Sequence, residues 1–292
     1  MVVQNSEYDF SYKYDVDELF GENTPIDVSG FGDDDEQEVN YEKKTSMWRY
    51  TSIGKLRNVI NAKENSMGCL FFYKAQKFRK EDEYEGTIPD LAIQSAKDQY
   101  ESLVESRYDS ESIKSPDSVE DWAEYHKQVA EKMRKLSYIN CWRYGERESD
   151  LMWKKFTSSG SGVAIKSNAE DFVESFEKWP GRLFIGETRY RYNDFNYHNF
   201  NRMTPLFIKR SEYMGEQELR AVITLSDKEI NMNHKPKTYP EPVDDDLACA
   251  EVNLEKLISK IVVHPDSDLL KNVVEDILQV ANLDVPVEKS SL

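Results

Sequence analysis

The residues best suited to chemistry are Glu216 and Glu218, which flank Gln217 just ahead of the apolar run Leu219–Leu225. On extended backbone, carboxylates at i and i+2 share a face. One can then orient a nucleophile or stabilise positive charge while the other assists. Further polar residues stand along the chain: Arg49 and Tyr50 in an early apolar segment, Ser159 and Ser161 around Gly160, and Tyr213 shortly before the carboxylates. A second carboxylate set comprises Glu81, Asp82, Glu83 and Glu85 with Glu148 and Asp150. Gathered in a cleft, with Lys166 or Lys209 beside it, that set would suit Mg²⁺-dependent phosphodiester hydrolysis, because Mg²⁺ takes carboxylate oxygens and water. The structural alternative is a partly buried ion network, in which Arg49 and Arg220 pair with Glu216, Glu218 or Glu148 and the charged turn 80–86 is solvated. His126, His198, His234 and His264 show no metal-ligand spacing, so no metal site is expected. The aromatic loop 192–200 could stack a base or close a core edge.

Hydrophobic patterning supplies the elements that must position these groups. Strands are expected at Trp48–Thr51, Leu70–Tyr73, Gly162–Ile165, Leu183–Tyr192 and Leu219–Leu225, from alternating or continuous apolar runs. Shorter strands are expected at Cys141-Trp142, Ile261–Val263 and Val285–Val287. Ser52 is placed to cap a helix carrying Leu56, Val59 and Ile60. Ser167 and Glu170 read as a capping box, and Thr204-Pro205 as a helix start. Glu148–Trp153 reads as a short helix, and Leu254, Leu257 and Ile258 share a helical face. Residues 90–137 read as a helical insertion, and 269–281 as a closing helix. Strands scattered among helices of varied length predict an α+β fold: a single domain over 47–292, a mixed central sheet flanked by helices, and a flexible acidic arm over 1–46.

The arm follows from charge. Residues 1–40 contain 12 Asp and Glu against Lys13 alone, a net −11 of the chain's −17. Such density cannot bury enough apolar surface to offset ordering entropy, and it suits contact with a protein partner. The overall charge argues against a basic nucleic-acid binder and against a polybasic membrane-surface protein. No stretch approaches the roughly 20 apolar residues of a membrane-spanning helix, and no secretory start is read, so a cytoplasmic location is expected. Cys69, Cys141 and Cys249, odd in number and far apart, read as reduced core thiols.

Several segments carry a resemblance when taken in order. They are Trp48–Ser52, Leu70-Phe71-Phe72, Cys141-Trp142, Glu148-Ser149 with Met152-Trp153, Gly162–Ser167, Lys209-Arg210 with Tyr213, Glu216 and Glu218-Leu219-Arg220, Ile261–Val263 with Pro265, and Lys289–Leu292. Together, over about 48–292, they resemble a widespread prokaryotic and phage family known as a domain of unknown function. The Glu216-Gln217-Glu218 element is also similar to that of arginine-directed ADP-ribosyltransferases, in which an early arginine holds NAD and a Ser-x-Ser element follows. The two resemblances together imply an NAD-using transferase or glycohydrolase, the phage–host conflict setting coming from the first, with Glu218 and Glu216 catalytic and Arg49, Tyr50, Ser159, Ser161 and Tyr213 at the cofactor. NAD would be the substrate. A buried carboxylate would stabilise its oxocarbenium-like transition state, and Arg49 would clamp its pyrophosphate. The alternative is a non-catalytic interaction protein using the acidic arm and loop 192–200. Both Arg49 and Glu218 must touch one cofactor if the NAD reading holds.

Overall fold

The computed structural model describes residues 26–27, 46–60, 66–90, 93–94, 119–157, 161–176, 179, 183–190, 203–224, 245–267 and 269–292. Among them are ten strands: β1 (Ile26–Asp27), β2 (Ser46–Ser52), β3 (Met67–Lys74), β4 (Ser137–Tyr144), β5 (Gly162–Asn168), β6 (Leu183–Glu187), β7 (Glu218–Thr224), β8 (Leu247–Asn253), β9 (Lys260–Val263) and β10 (Val287–Lys289). Six α-helices accompany them: α1 (Ile53–Ile60), α2 (Val119–Leu136), α3 (Asp150–Phe156), α4 (Ala169–Glu174), α5 (Leu254–Leu257) and α6 (Leu270–Val280).

All ten strands join one mixed sheet in the order β1-β6-β7-β4-β2-β5-β9-β10, with β3 paired to β4 and to β8. Every ladder is antiparallel except β9–β10. Strand β4 pairs along its whole length with β7 on one edge, Ser137 opposite Thr224 and Arg143 opposite Glu218. Its other edge forks. Tyr138 and Ile139 pair with β3, whereas Arg143 and Tyr144 pair with Trp48 and Met47 of β2.

Helices cover both faces, giving the expected α+β architecture. Helices α1, α4, α5 and α6 pack on the face bearing Met47, Trp142, Ile165 and Leu219. The i, i+3, i+4 spacing of Leu56, Val59 and Ile60 turns one stripe of α1 into that core. On the opposite face, Met133 of α2 packs with Ile139, Phe184 and Val222. There too, Met152 and Trp153 of α3 pack with Trp48 and Tyr50. Polar residues on β2 and β7 are therefore sorted to one side or the other by the two-residue pleat.

Local expectations needed adjustment. Ser52 does cap α1, its hydroxyl accepting from the Lys55 N–H at 3.4 Å. The cap of α4 is Asn168, not Ser167, because β5 runs on to Asn168, whose Oδ1 accepts from the Asp171 N–H at 2.8 Å. Thr204-Pro205 opens a single 3-10 turn (Thr204–Phe207) with no side-chain cap. Strand β6 ends at Glu187, and only an isolated bridge from Arg189 to Ile208 continues it. The arm contributes β1, which pairs with β6; the rest of 1–45, loop 192–200 and most of 90–118 lie outside the described residues. Cys69 and Cys249 are joined as a disulfide between adjacent strands β3 and β8, contrary to the thiol reading; Cys141 is free.

Candidate functional site

Glu216 and Glu218 do converge, but not through extended backbone. Glu216 ends a 3-10 helix (Ser211–Glu216), and Gln217 adopts the left-handed conformation, φ 45° and ψ 57°. This conformation is uncommon for a residue with a Cβ. It is held here by the Arg143 Nη2 bond to Gln217 Oε1 at 2.7 Å and by the Tyr144 N–H bond to the Gln217 carbonyl at 2.9 Å. The turn brings both carboxylates onto Lys209, at 2.7 Å for Glu216 and 3.2 Å for Glu218. Arg220, fully buried, bonds Glu218 through Nε at 2.8 Å and also pairs closely with Glu85. Lys155 of α3 closes on the second oxygen of Glu216. The Tyr213 ring lies over this assembly, 4.5 Å from the Lys209 ammonium and 5.4 Å from that of Lys155.

Three cations and three carboxylates thus interlock. Burial alone would raise the Glu218 pKa, but Arg220 and Lys209 overcome it and hold Glu218 well below the carboxylate range. Glu216 goes the other way, raised by burial and by the neighbouring Glu218 carboxylate. The Glu218 N–H also donates to the Tyr190 hydroxyl at 2.8 Å. Each carboxylate oxygen of Glu216 and Glu218 has a partner from this chain. The cluster ties β7 to the Ser211–Glu216 turn, α3 and the 81–86 turn, which is the network alternative realised for Arg220. The charged turn is solvated only in part: Lys80, Glu81 and Glu83 are exposed, whereas Asp82 and Glu85 are each 2% exposed.

Arg49 does not join this cluster. Trp48 stands opposite Arg143, which stands opposite Glu218, so those three share a face and the pleat turns Arg49 to the other. Strand β4 separates Arg49 from Glu218. The expectation that both line one hollow is therefore corrected, and with it the shared NAD site; the cause is the odd-to-even register of β2 on β4. The guanidinium instead ends where β2 and β3 part, and Nη1 donates to the Cys141 carbonyl at 3.4 Å on the unpaired edge of β4. Asn140 spans the same fork, its amide donating to the Phe71 carbonyl at 2.7 Å and accepting from Trp142 Nε1 at 2.7 Å. The slot left between the strands is a cavity of about 80 Å³ lined by Arg49, Thr51, Lys55, Asn58 and Tyr73, with Val59, Phe71, Ile165 and Leu247 as its apolar walls. Burial lowers the Arg49 pKa, and among the described residues no carboxylate pairs with it.

The remaining candidates are dispersed. Tyr50 faces α3, and its hydroxyl accepts from the Ser149 N–H at 2.8 Å; burial pushes its pKa up to about 12. Ser161 lies in the turn before β5, where its carbonyl accepts from the Ile53 N–H at 3.2 Å, and Ser159 lies outside the described residues. The Mg²⁺ carboxylates are not gathered. Asp82 pairs with Arg210, Glu85 with Arg220 and Asp150 with Lys154, while Glu148 accepts from Trp153 and Ser290. Among the described residues, no group of three His, Cys, Asp or Glu side chains is placed to hold a metal ion. Lys55, Asn58, Asn140 and Lys155 were not singled out in the sequence. The i, i+3 spacing of Lys55 and Asn58 on the outer side of α1 was the available signal. No protein-family model, curated protein or solved structure matches this chain.

Proposed function

We propose that this protein binds the anionic group of a small ligand in the slot between β2 and β3, with Arg49 recognising the charge. One observation carries the reading: a guanidinium disfavoured by burial lines an open cavity and has no carboxylate partner among the described residues, whereas the buried Lys209 and Arg220 each have two. Arginine presents N–H groups in a planar fork that suits carboxylate and phosphate oxygens, and one Nη is committed to Cys141. Lys55 adds a second positive charge, and the Thr51 hydroxyl and Asn58 amide add hydrogen-bonding groups. At about 80 Å³ the slot is far smaller than the roughly 300–1,000 Å³ of pockets that enclose a whole drug-sized ligand. It therefore accommodates the charged end of a molecule, not an entire dinucleotide.

The test is calorimetric titration of inorganic phosphate and pyrophosphate at low salt into the parent chain and into Arg49→Met, with circular dichroism confirming the fold. The expected result is at least a tenfold loss of affinity in R49M and a smaller loss in Lys55→Met. Equal affinity in parent and R49M, or no binding to the parent, overturns the reading. NAD belongs in the same series: binding that survives R49M and disappears in a folded Glu218→Gln variant would return the nucleotide chemistry to the other face.

A further inference from the structure

We infer that the ligand of the Arg49 slot is an organic anion, with its charged end at the guanidinium and an apolar body against Val59, Phe71, Ile165 and Leu247. This rests on the anion-binding reading above and adds the class of ligand. A site built for a bare inorganic ion surrounds it with donors. Here Arg49, Thr51, Lys55, Asn58 and Tyr73 bring polar groups, but four other lining side chains offer only carbon. Val59 and Ile165 are buried in the main core, whereas Phe71 and Leu247 are only partly buried. That pair leaves apolar surface which a ligand can cover.

The fork explains why this surface exists. Strand β2 pairs with β4 only at Arg143 and Tyr144 and β3 only at Tyr138 and Ile139, so Asn140–Trp142 have no strand partner on that edge and the Arg49 side chain reaches the Cys141 carbonyl there. Helix α1, the connection between them, places Lys55 and Asn58 on the exposed side and Val59 beneath. The result is an opening with a cationic mouth, one inner guanidinium and carbon walls. Carboxylates and phosphate esters share the chemistry that fits, and the assay separates them.

The experiment titrates inorganic phosphate, phenyl phosphate and benzoate into the parent chain, R49M and Leu247→Asn. Covering about 60 Å² of apolar surface at ~25 cal/mol per Å² corresponds to about tenfold in affinity. The expected result is that phenyl phosphate or benzoate, or both, binds at least about tenfold tighter than inorganic phosphate. That preference is lost in L247N, and all binding is weakened in R49M. If phenyl phosphate alone shows the preference, the ligand is a phosphate ester; if benzoate alone, a carboxylate. Arg49-dependent binding of inorganic phosphate that is as tight as either organic anion overturns the inference and leaves the anion reading standing. Organic anions that bind R49M as tightly as the parent also overturn it, and absence of binding by all three removes both.

Discussion

Exchanging Glu218 for Gln keeps the shape of the side chain and deletes one charge from the interlocked cluster. Removing one partner of a buried pair costs about 3–5 kcal/mol, because the remaining charge stays in the protein uncompensated. Here Lys209 retains Glu216 and Arg220 retains Glu85, so the lower end, about 3 kcal/mol, is expected. At about 2–4 °C per kcal/mol for a chain of this size, the melting temperature falls by roughly 6–12 °C. The pH dependence gives the sharper check. Glu218 has a folded pKa below its ordinary 4.5, so its contribution is complete above about pH 4.5 and fades as the pH falls toward the folded value. The deficit of E218Q measured in urea should then be about 2 kcal/mol smaller near pH 3 than near pH 7, at ~1.4 kcal/mol per unit over roughly 1.5 units. Glu216, raised in the folded state, has the opposite sign: its ionisation costs stability above pH 4.5. Glu216→Gln should therefore cost clearly less than E218Q at neutral pH, because Lys209 keeps Glu218 and the other partner, Lys155, is partly exposed. Equal losses for the two variants, or an E218Q deficit independent of pH, would refute the assignment of the two carboxylates.

Other outcomes follow from the packing. Without reductant, alkylation of the unfolded chain should modify one cysteine of three. Replacing Cys69 and Cys249 by Ser should lower stability by up to roughly 5 kcal/mol, because the bridge closes 180 residues; an unchanged urea midpoint would contradict it. In the folded chain Cys141 should react slowly, since burial pushes its thiol up to about 12; rapid labelling near neutral pH would count against its placement. Asn140→Ala should cost about 2–4 kcal/mol by leaving the Phe71 carbonyl and the buried Trp142 N–H without partners, and a urea titration indistinguishable from the parent would show that the fork is held otherwise. Gly68→Ala sets a Cβ against Leu254 Cδ2 and 2.6 Å from the Val59 carbonyl, so a loss of roughly 1–3 kcal/mol is expected; a neutral substitution would contradict the close packing of α1 and α5 on β3.

The α+β class and most strands were legible because apolar periodicity is a local property. Trp48–Thr51, Leu70–Tyr73 and Gly162–Ile165 all fall on strands, as does Leu219–Leu225 as far as Thr224, where the described residues end. Strand β8 was missed because Leu247, Ala248, Ala250 and Val252 follow a long polar segment, and two of its inward positions are alanines with weak apolar signal. Burial of Asp82 and Glu85 was illegible for another reason: a turn rich in acids looks solvated until Arg210 and Arg220, more than 100 residues away, are folded against it. The same non-local information decides the site. Residue order placed Arg49, Ser161 and Glu218 in a sensible series, but the face on which a strand residue projects depends on register. A one-residue offset between β2 and β4 is enough to part Arg49 from Glu218.

The central claim is that the Arg49 slot receives negative charge from outside the chain. A crystal grown or soaked with tungstate reads this directly through the anomalous signal of the metal. The expected result is a peak between β2 and β3 with oxyanion oxygens about 3 Å from the Arg49 guanidinium, absent in R49M crystals under the same conditions. An open slot without a peak, or an Asp or Glu of the chain itself seated on Arg49, would contradict it.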